Sequence, residues 1–459
     1  MKIVVLSGSP KGPHSVTLHY IRYLEKYFDM HTFRVFHTGM EIGRYEKKPD
    51  ALKELAEEIE ASDAVIWCYP VYVGLVPAQM KRFIELVFEG GFAEAFKGKY
   101  ATTFTTSAHF MDNVAHAYTE AVSSDLSMRY VEGYSAGMDD LIKKEERHRI
   151  ITFMRAFFLH VEENWPGKQP FLPPSARLSE YKPGKIADVP KKGSRKIVLF
   201  TDAEEKDVNL SRMTEVLAKS LANPLEIINI RSISMRGGCL SCYRCVSENE
   251  CSYKDGFTKI YREHLMPADA IIYAGTIRDR FLSARWKMFY DRSFFNGHRP
   301  TTSGKQAAFL FSGPLAQNPQ IVQYLECIAG AGQVHNLGII TDEGSSAEVT
   351  ARLNALAKKI LWSIGEGFIR PLTFPGVGAH LLFRDLVYTH QWLFKADHLY
   401  YREHGLYDYP QNDVTENMKK HFLGLMMLFP SGRKAMIRES KKKMLEPYQK
   451  VIQEMAGMK

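Results

Sequence analysis

The sequence predicts an α/β protein built from two similar domains, each with a parallel sheet covered by helices on both faces. Short runs rich in β-branched residues, such as Lys2–Ser7, alternate with segments of helical period, and this alternation is typical of parallel sheets. The same order of segments then recurs: KIVVLSGSP at Lys2 is matched by KIVLFTDAE at Lys196. A length of 459 residues leaves room for two such domains and an extension.

The elements of the first domain follow from hydrophobic period and from turn residues. Its predicted strands are residues 2–7, 32–37, 64–68 and 100–105. Its predicted helices are residues 15–28, 51–61 and 77–88, the last with a proline in its first turn. Residues 110–165 have a helical pattern throughout.

The repeat has three anchors at one spacing. Three residues of the first copy each have a counterpart 206 residues later: Asp63 in ASDAVIW, Lys81 in QMKRFIELVFEGG and Gly98 in GKYATTF. The counterparts are Asp269, Lys287 and Gly304. Since the first strands are only 194 residues apart, the second copy has gained residues before Asp269. We therefore expect a tandem duplication with an insertion in the second copy.

Four regions follow from these boundaries. Residues 1–165 form the first domain and residues 195–370 the second. Residues 166–194 contain six prolines and lack helical or strand period, which is typical of an extended linker. Residues 371–459 are predicted to form a mostly helical C-terminal extension.

The insertion contains a compact cysteine motif. Cys239, Cys242, Cys245 and Cys251 have the spacing C-x2-C-x2-C-x5-C and are four of the six cysteines in the chain. The tight triplet is the spacing with which ferredoxins bind an iron–sulfur cluster. Structural zinc, which more often uses two separated pairs, and a motif that has lost its metal are the alternatives. A disulfide is the weakest interpretation, because nothing else in the sequence is typical of a secreted protein.

Composition narrows the class of protein. The chain is 45% hydrophobic with a formal net charge of +8, as in an ordinary globular protein. No apolar run approaches the ~20 residues that span a bilayer, and the N-terminus lacks the features of a signal peptide. We expect a cytoplasmic protein. Residues 433–459 are basic, which suits a solvated helix face better than a nucleic-acid surface, since no recognised binding motif accompanies the charge.

Two loops of the first domain carry the candidate chemistry. The loop Ser7–Thr17, SGSPKGPHSVT, joins a strand to a helix N-terminus with small residues, hydroxyls and one lysine. Such a loop suits a phosphate, because helix N-termini offer peptide N–H groups and a favourable dipole. Its spacing matches neither a dinucleotide fingerprint nor a P-loop. The loop Tyr69–Ala78, YPVYVGLVPA, follows the third strand, where open α/β sheets bind ligands, and suits a flat ring.

These two loops resemble those of the NADPH-dependent FMN reductase branch of the flavodoxin-like proteins. The resemblance implies two flavodoxin-like domains and FMN as cofactor. It places the phosphate at Ser9, Lys11, Ser15, Val16 and Thr17. It places the isoalloxazine ring at Pro70, Val71, Tyr72, Val73, Gly74, Thr106 and Ser107. It also suggests His109 as a catalytic proton donor near the ring.

The second copy resembles the iron–sulfur flavoproteins of the same family, in which four clustered cysteines follow the second strand. Its equivalent of the phosphate loop, residues 201–207, contains four carboxylates that disfavour a phosphate. Its equivalent of the ring loop, residues 275–280, lacks the Pro-Val-Tyr sequence. The hypothesis is one FMN in the first domain and one cluster, of the 4Fe-4S type, in the second.

The predicted function is that of an FMN-dependent oxidoreductase. NAD(P)H or ferredoxin is the expected donor, and a small organic molecule or a quinone is the expected acceptor. The alternatives are an electron-transfer module that serves a partner enzyme and a non-redox protein with structural zinc. The resemblance also implies a homo-oligomer, and no nucleic acid or membrane span is expected.

Overall fold

A computed structural model describes residues 1–168, 171–172, 179–186, 195–221 and 224–457. Much of the predicted linker, with Pro170, Pro173, Pro174 and Pro190, lies outside the described residues. In its described part, Lys168 pairs with Tyr130 through one isolated bridge, and the side chain of Tyr181 is buried in the core of the second domain.

The first domain contains a five-stranded parallel sheet with the order β2-β1-β3-β4-β5. Its strands are β1 (Lys2–Ser7), β2 (Thr32–Phe36), β3 (Ala64–Pro70), β4 (Tyr100–Thr106) and β5 (Arg129–Ala136). Its helices are α1 (Val16–Tyr27), α2 (Ile42–Lys47), α3 (Pro49–Glu60), α4 (Ala78–Glu89), α5 (Asp112–Asp125) and α6 (Lys144–Glu162).

Strand β5 corrects the prediction that residues 110–165 are helical throughout. Helices α5 and α6 lie in this region, but β5 separates them and pairs with β4. An edge strand is hydrogen-bonded on one side only, and several residues of β5 are exposed or half-buried. Its mixed sequence, RYVEGYSA, therefore lacks the continuous apolar run that identifies a buried parallel strand.

The second domain repeats this topology, with the sheet order β7-β6-β8-β9-β10. Its strands are β6 (Ile197–Thr201), β7 (Leu225–Asn229), β8 (Ala270–Thr276), β9 (Gln306–Ser312) and β10 (His335–Thr341). Its helices are α7 (Val208–Ser220), α8 (Arg244–Glu248), α9 (Phe257–Ile260, followed by a π-helical turn over Tyr261–Leu265), α10 (Ala284–Ser293), α11 (Pro319–Ala331) and α12 (Ser346–Glu366). The predicted fold class is confirmed.

The register of the two sheets supports the repeat. Ala64 pairs with Tyr100 in the first sheet, and Ala270 pairs with Gln306 in the second, so the spacing of 206 holds on both central strands. It also holds at the left-handed residue before each last strand, which is Ser127 (φ 54°) in one domain and Gln333 (φ 52°) in the other. The duplication itself stays a prediction, which this equivalence supports.

The C-terminal residues are helical, as predicted. The helices are α13 (Phe374–Thr389), α14 (Lys395–Glu403), α15 (Val414–Leu428) and α16 (Pro430–Gly457). The chain forms two compact units, Met1–Tyr400 and Tyr401–Lys459, so α13 is part of the larger unit. It packs on α11 where the backbones of Gly330 and Gly376 approach closely. In the described part of the chain, no helix has the length and apolar character needed to cross a bilayer.

Helices α4 and α10 pack against each other and join the two domains. The peptide N–H of Ala78 donates to Oδ2 of Asp291 over 2.7 Å, and that of Ala284 donates to Oε1 of Glu85 over 2.5 Å. Each helix N-terminus is therefore satisfied by a carboxylate from the other domain. One apolar core extends across this junction, where Tyr118 meets Phe281 with ring centroids 6.4 Å apart.

Candidate active site

A cavity of about 450 Å³ brings the predicted flavin residues together. It lies at the carboxyl ends of β1, β3 and β4, which is the usual ligand edge of such a sheet. All twelve predicted cofactor-binding residues line it: Ser9, Lys11, Ser15, Val16, Thr17, Pro70, Val71, Tyr72, Val73, Gly74, Thr106 and Ser107. The two loops that were identified separately in the sequence thus form one site.

One end of this cavity has the character of a phosphate site. Ser15 is the N-cap of α1, yet its side chain makes no capping hydrogen bond, so its hydroxyl is available for a ligand. Val16 and Thr17 begin the helix, where peptide N–H groups lack intrahelical acceptors. Thr17 Oγ1 lies 2.6 Å from Thr106 Oγ1 and ties this loop to the end of β4.

The other end has a tightly turned loop. Tyr72 and Leu75 form an isolated bridge, and the two residues between them, Val73 (φ 42°) and Gly74 (φ 70°), are left-handed. A Cβ on Gly74 would lie 2.4 Å from the side chain of Met111, so glycine is required for both conformation and space. Burial raises the pKa of Tyr72, and Ser241 of the cysteine loop partly opposes this shift.

His109 lies outside this set of lining residues. It has φ 59°, and its side chain is 57% exposed with Nδ1 3.2 Å from Oδ2 of Asp112. The neighbouring residues Ala108 and Phe110 line the cavity instead. Its predicted catalytic role therefore stays a prediction.

The four cysteines of the motif line a second, smaller cavity of about 40 Å³. All are free thiols. Burial raises the pKa of Cys239 to about 12 and that of Cys245 to about 11. The loop turns through left-handed residues at Ser241, Tyr243 and Asn249. Across the described ranges, no three His, Cys, Asp or Glu side chains are grouped closely enough to hold a metal ion as placed. The donor set, four sulfur atoms around one space, fits an iron–sulfur cluster or zinc in its chemistry.

The two cavities share a wall. Six residues line both cavities: Cys239, Ser241, Tyr243, Val246, Asp291 and Phe294. Nζ of Lys11, on the phosphate loop, lies 4.6 Å from the ring centroid of Tyr243, a cation–π distance. Nε2 of Gln79 donates to the backbone oxygen of Cys239 over 3.4 Å. The cysteine loop of the second domain therefore closes over the ligand edge of the first.

The equivalent loops of the second domain are filled by their own ion pairs. Asp207 is the N-cap of α7, as Ser15 is of α1. Its carboxylate accepts hydrogen bonds from Thr276 Oγ1 at 3.1 Å and from Arg278 at 3.3 Å. Glu204 pairs with Arg231 at 2.5 Å. A carboxylate thus occupies the position where the first domain leaves a hydroxyl for a phosphate.

Sequence reasoning missed a large part of the cavity wall. The lining also includes eleven residues between 289 and 302 of the second domain, Tyr273, and Phe383 and Phe394 of the C-terminal extension. Buried His298 lies in this wall, with Nδ1 2.9 Å from Oδ2 of Asp397. For the residues of the second domain, the sequence signal is the spacing of 206, which aligns each of them with a first-domain residue and shows where the two differ.

A doubly wound sheet of order 2-1-3-4-5, with small-residue loops around a cavity at its carboxyl edge, defines a flavodoxin-like domain. Residues 1–140 match the family described as NADPH-dependent FMN reductase. This match covers less than a third of the chain, and it supports an FMN-dependent oxidoreductase.

Among curated proteins, the chain is similar to an iron–sulfur flavoprotein of Archaeoglobus fulgidus, with 24% identity over 221 residues. This match covers 46% of the chain and 99% of that protein.

Two solved structures illustrate the likeness in fold. FerB, an NAD(P)H:acceptor oxidoreductase of Paracoccus denitrificans, is 21% identical with a TM-score of 0.30, and the match covers 35% of this chain and 97% of that one. An NAD(P)H:quinone oxidoreductase of Methanothermobacter marburgensis is 16% identical with a TM-score of 0.28, and the match covers 37% and 99%. At these scores, the likeness carries no argument about function.

Proposed function

We propose that the chain is an oxidoreductase in which FMN at the first domain exchanges electrons with an iron–sulfur cluster at the second. NAD(P)H or reduced ferredoxin is the donor, and a small organic molecule or a quinone is the acceptor. FMN, when bound, takes up a hydride or an electron pair and releases the electrons singly or together. The protein supplies the positions of the two cofactors and the surroundings that tune them.

The observation that carries this proposal is the shared wall between the two cavities. Cys239 lines both the flavin cavity and the cysteine cavity, so a cluster held by its sulfur would border the flavin site directly. Tyr72 on the ring loop and Ser241, two residues after Cys239, line the same cavity. Close approach of this kind favours electron transfer between two centres over an independent structural role for the metal.

The residues fit FMN at the first domain and disfavour it at the second. At the first, the hydroxyl of Ser15, the amino group of Lys11 and the N-terminus of α1 offer donors to a phosphate. At the second, the carboxylates of Glu204 and Asp207 occupy the corresponding loop and are paired with arginines. A dianionic phosphate there would have to displace these ion pairs.

Anaerobic purification, with an absorption spectrum and with assays for FMN, iron and sulfide, tests the proposal. We expect one FMN per chain together with about four iron and four sulfide, as in clusters bound by four cysteines. A colourless protein with stoichiometric zinc would instead support a structural role for the cysteine loop. Two FMN per chain, or FMN retained when the first loop is disrupted, would contradict the assignment to the first domain.

A further inference from the structure

The flavin cavity continues into the interior of the second domain. Its inner end is lined by Tyr273 on β8, by Ala307 and Phe309 on β9, and by Gly332 and Val334 just before β10. These residues lie in the layer between the second sheet and helices α10 and α11. Protein interiors are normally close-packed, so an open space in such a layer requires an explanation.

The first domain shows how this layer is filled when no space is kept. Trp67, Phe96, Leu126 and Met128 occupy it, and each is no more than 2% exposed. Trp67 stacks on Phe96 with ring centroids 6.0 Å apart. Its Nε1 donates to Oγ of Ser123 over 3.1 Å. The first-domain layer is therefore a solid core.

The same positions of the second domain carry smaller side chains. With the spacing of 206 that relates the two sheets, the counterparts of Trp67, Phe96, Leu126, Met128 and Ser123 are Tyr273, Thr302, Gly332, Val334 and Ala329. All five line the cavity. Tyr273, Thr302, Gly332 and Val334 are only half-buried, although Tyr273 lies in the middle of a central strand. The cavity therefore arises from a coordinated loss of volume at positions far apart in the sequence.

Two positions change in the opposite direction and give the space an aromatic wall. Phe309 replaces Thr103, and Tyr290 replaces Ile84. The ring of Phe309 is stacked on that of Tyr273, with centroids 5.5 Å apart. The hydroxyl of Tyr290 is buried, and it has no hydrogen-bond partner among the described residues.

We infer that this inner space, the acceptor chamber, binds the molecule that receives electrons from the flavin. Replacing large core side chains with small ones lowers the stability of the protein when the space stays empty. A ligand that fills the space restores part of that stability. The flat aromatic wall suits a planar, largely apolar molecule, which is the shape and chemistry of a quinone. The inference rests on the proposed function, because the chamber opens onto the flavin loops.

The substitution Thr302→Phe tests the chamber by restoring the side chain that fills it in the first domain. The probe is 2-methyl-1,4-naphthoquinone, whose binding to the purified, FMN-containing protein is measured by calorimetry. We expect binding to weaken at least tenfold and KM for this quinone to rise. The melting temperature without quinone should stay the same or rise, because the added ring fills the chamber. FMN content is measured alongside, so that a loss of FMN is not counted as a loss of quinone binding. Ser303→Phe, at the neighbouring exposed residue, is the matched control and should leave binding unchanged.

Unaltered naphthoquinone binding by Thr302→Phe, or no binding by the natural protein, would overturn the inference. If Thr302→Phe does not fold, Val334→Met provides the same test, because it restores the larger side chain of Met128, the first-domain counterpart of Val334. A protein that lacks FMN altogether would count against the proposed function instead. In that case the effect of Thr302→Phe on naphthoquinone binding still decides whether the chamber exists.

Discussion

Lys81 and Lys287 each donate a hydrogen bond to a backbone oxygen in the opposite domain. Nζ of Lys81 lies 3.1 Å from the oxygen of Arg278, and Nζ of Lys287 lies 2.9 Å from the oxygen of Tyr72. The two donors are 206 residues apart, and so are the two acceptors. The same spacing relates Glu85 and Asp291, the carboxylates that accept hydrogen bonds from the N-termini of α10 and α4. Such reciprocal contacts are typical of the interface of a symmetric dimer, here within one chain.

Removal of Lys287 should destabilise the junction between the domains. Its ammonium group and the carboxylate of Asp291 form a fully buried ion pair, and burial raises the pKa of Asp291 to about 6. Lys287→Met leaves that carboxylate without its partner, which typically costs about 3–5 kcal/mol. The free energy of unfolding in urea measures the loss.

A double variant separates this effect from a general packing defect. Adding Asp291→Asn to Lys287→Met removes the buried charge but keeps an oxygen for the N–H of Ala78, so part of the stability should return. Lys219→Met, which breaks an exposed pair with Glu215, serves as control and should cost less than about 1 kcal/mol. Equal losses for all three variants would contradict the assignment.

His116 should lower stability as the pH falls from 7 to 5, while Asp291, whose pKa is raised to about 6, should stabilise the folded protein over the same interval. Burial lowers the pKa of this histidine from 6.5 to about 4, and its Nε2 lies 2.8 Å from Thr105 Oγ1. In this interval the unfolded chain binds a proton that the folded protein does not, so acid favours unfolding. The expected contribution is about 2 kcal/mol between pH 7 and pH 5.

His116→Gln should remove this loss, so the free energy of unfolding at pH 5 should rise relative to its value at pH 7, compared with the natural protein. The exposed residue His148 provides the control, since His148→Gln should leave the slope as it is in the natural protein. A slope unchanged by the loss of His116 would assign the effect to other groups.

Ser15→Ala should weaken FMN binding by about 10- to 150-fold. A hydrogen bond to a charged phosphate contributes roughly 1.5–3 kcal/mol, and the serine hydroxyl makes no capping bond to α1 that it would have to give up. Fluorescence titration of the apoprotein with FMN gives the dissociation constant. Asp207→Ala at the equivalent position of the second domain should leave FMN affinity and stoichiometry unchanged. Binding of a second FMN by Asp207→Ala would contradict the hypothesis that the second domain has lost its FMN site.

Cys245→Ala should reduce bound iron to background while FMN remains. The sulfur atom lines the cysteine cavity with those of Cys239, Cys242 and Cys251, and a cluster with four thiolate ligands is not expected to survive the loss of one. Iron and sulfide assays on anaerobically purified protein provide the measurement. Cys327→Ala, at a half-buried cysteine outside the loop, should retain full iron content. Full iron in Cys245→Ala would exclude this residue as a ligand.

Local sequence patterns were sufficient for the fold and for the flavin loops. The apolar runs and the loop Ser7–Thr17 identified both sheets and one wall of the cavity, because each depends on residues that are adjacent in sequence. Strand β5 escaped notice because an edge strand lacks the buried pattern. The acceptor chamber escaped notice because it depends on volume missing from Thr302 and Gly332, which only a comparison with Phe96 and Leu126 reveals. His109 has a left-handed backbone conformation and is not among the residues that line the cavity, so its catalytic role stays a prediction.

The symmetric junction between α4 and α10 also bears on how such a protein responds to dilution and to mutation. Two separate subunits would dissociate at low concentration. Two domains joined by one polypeptide have a high effective concentration relative to each other, whatever the protein concentration. Specific activity should therefore be constant down to nanomolar protein. In a homodimer, every substitution occurs in both subunits. In a single chain with two domains, a substitution that benefits one cofactor site leaves the other site unchanged.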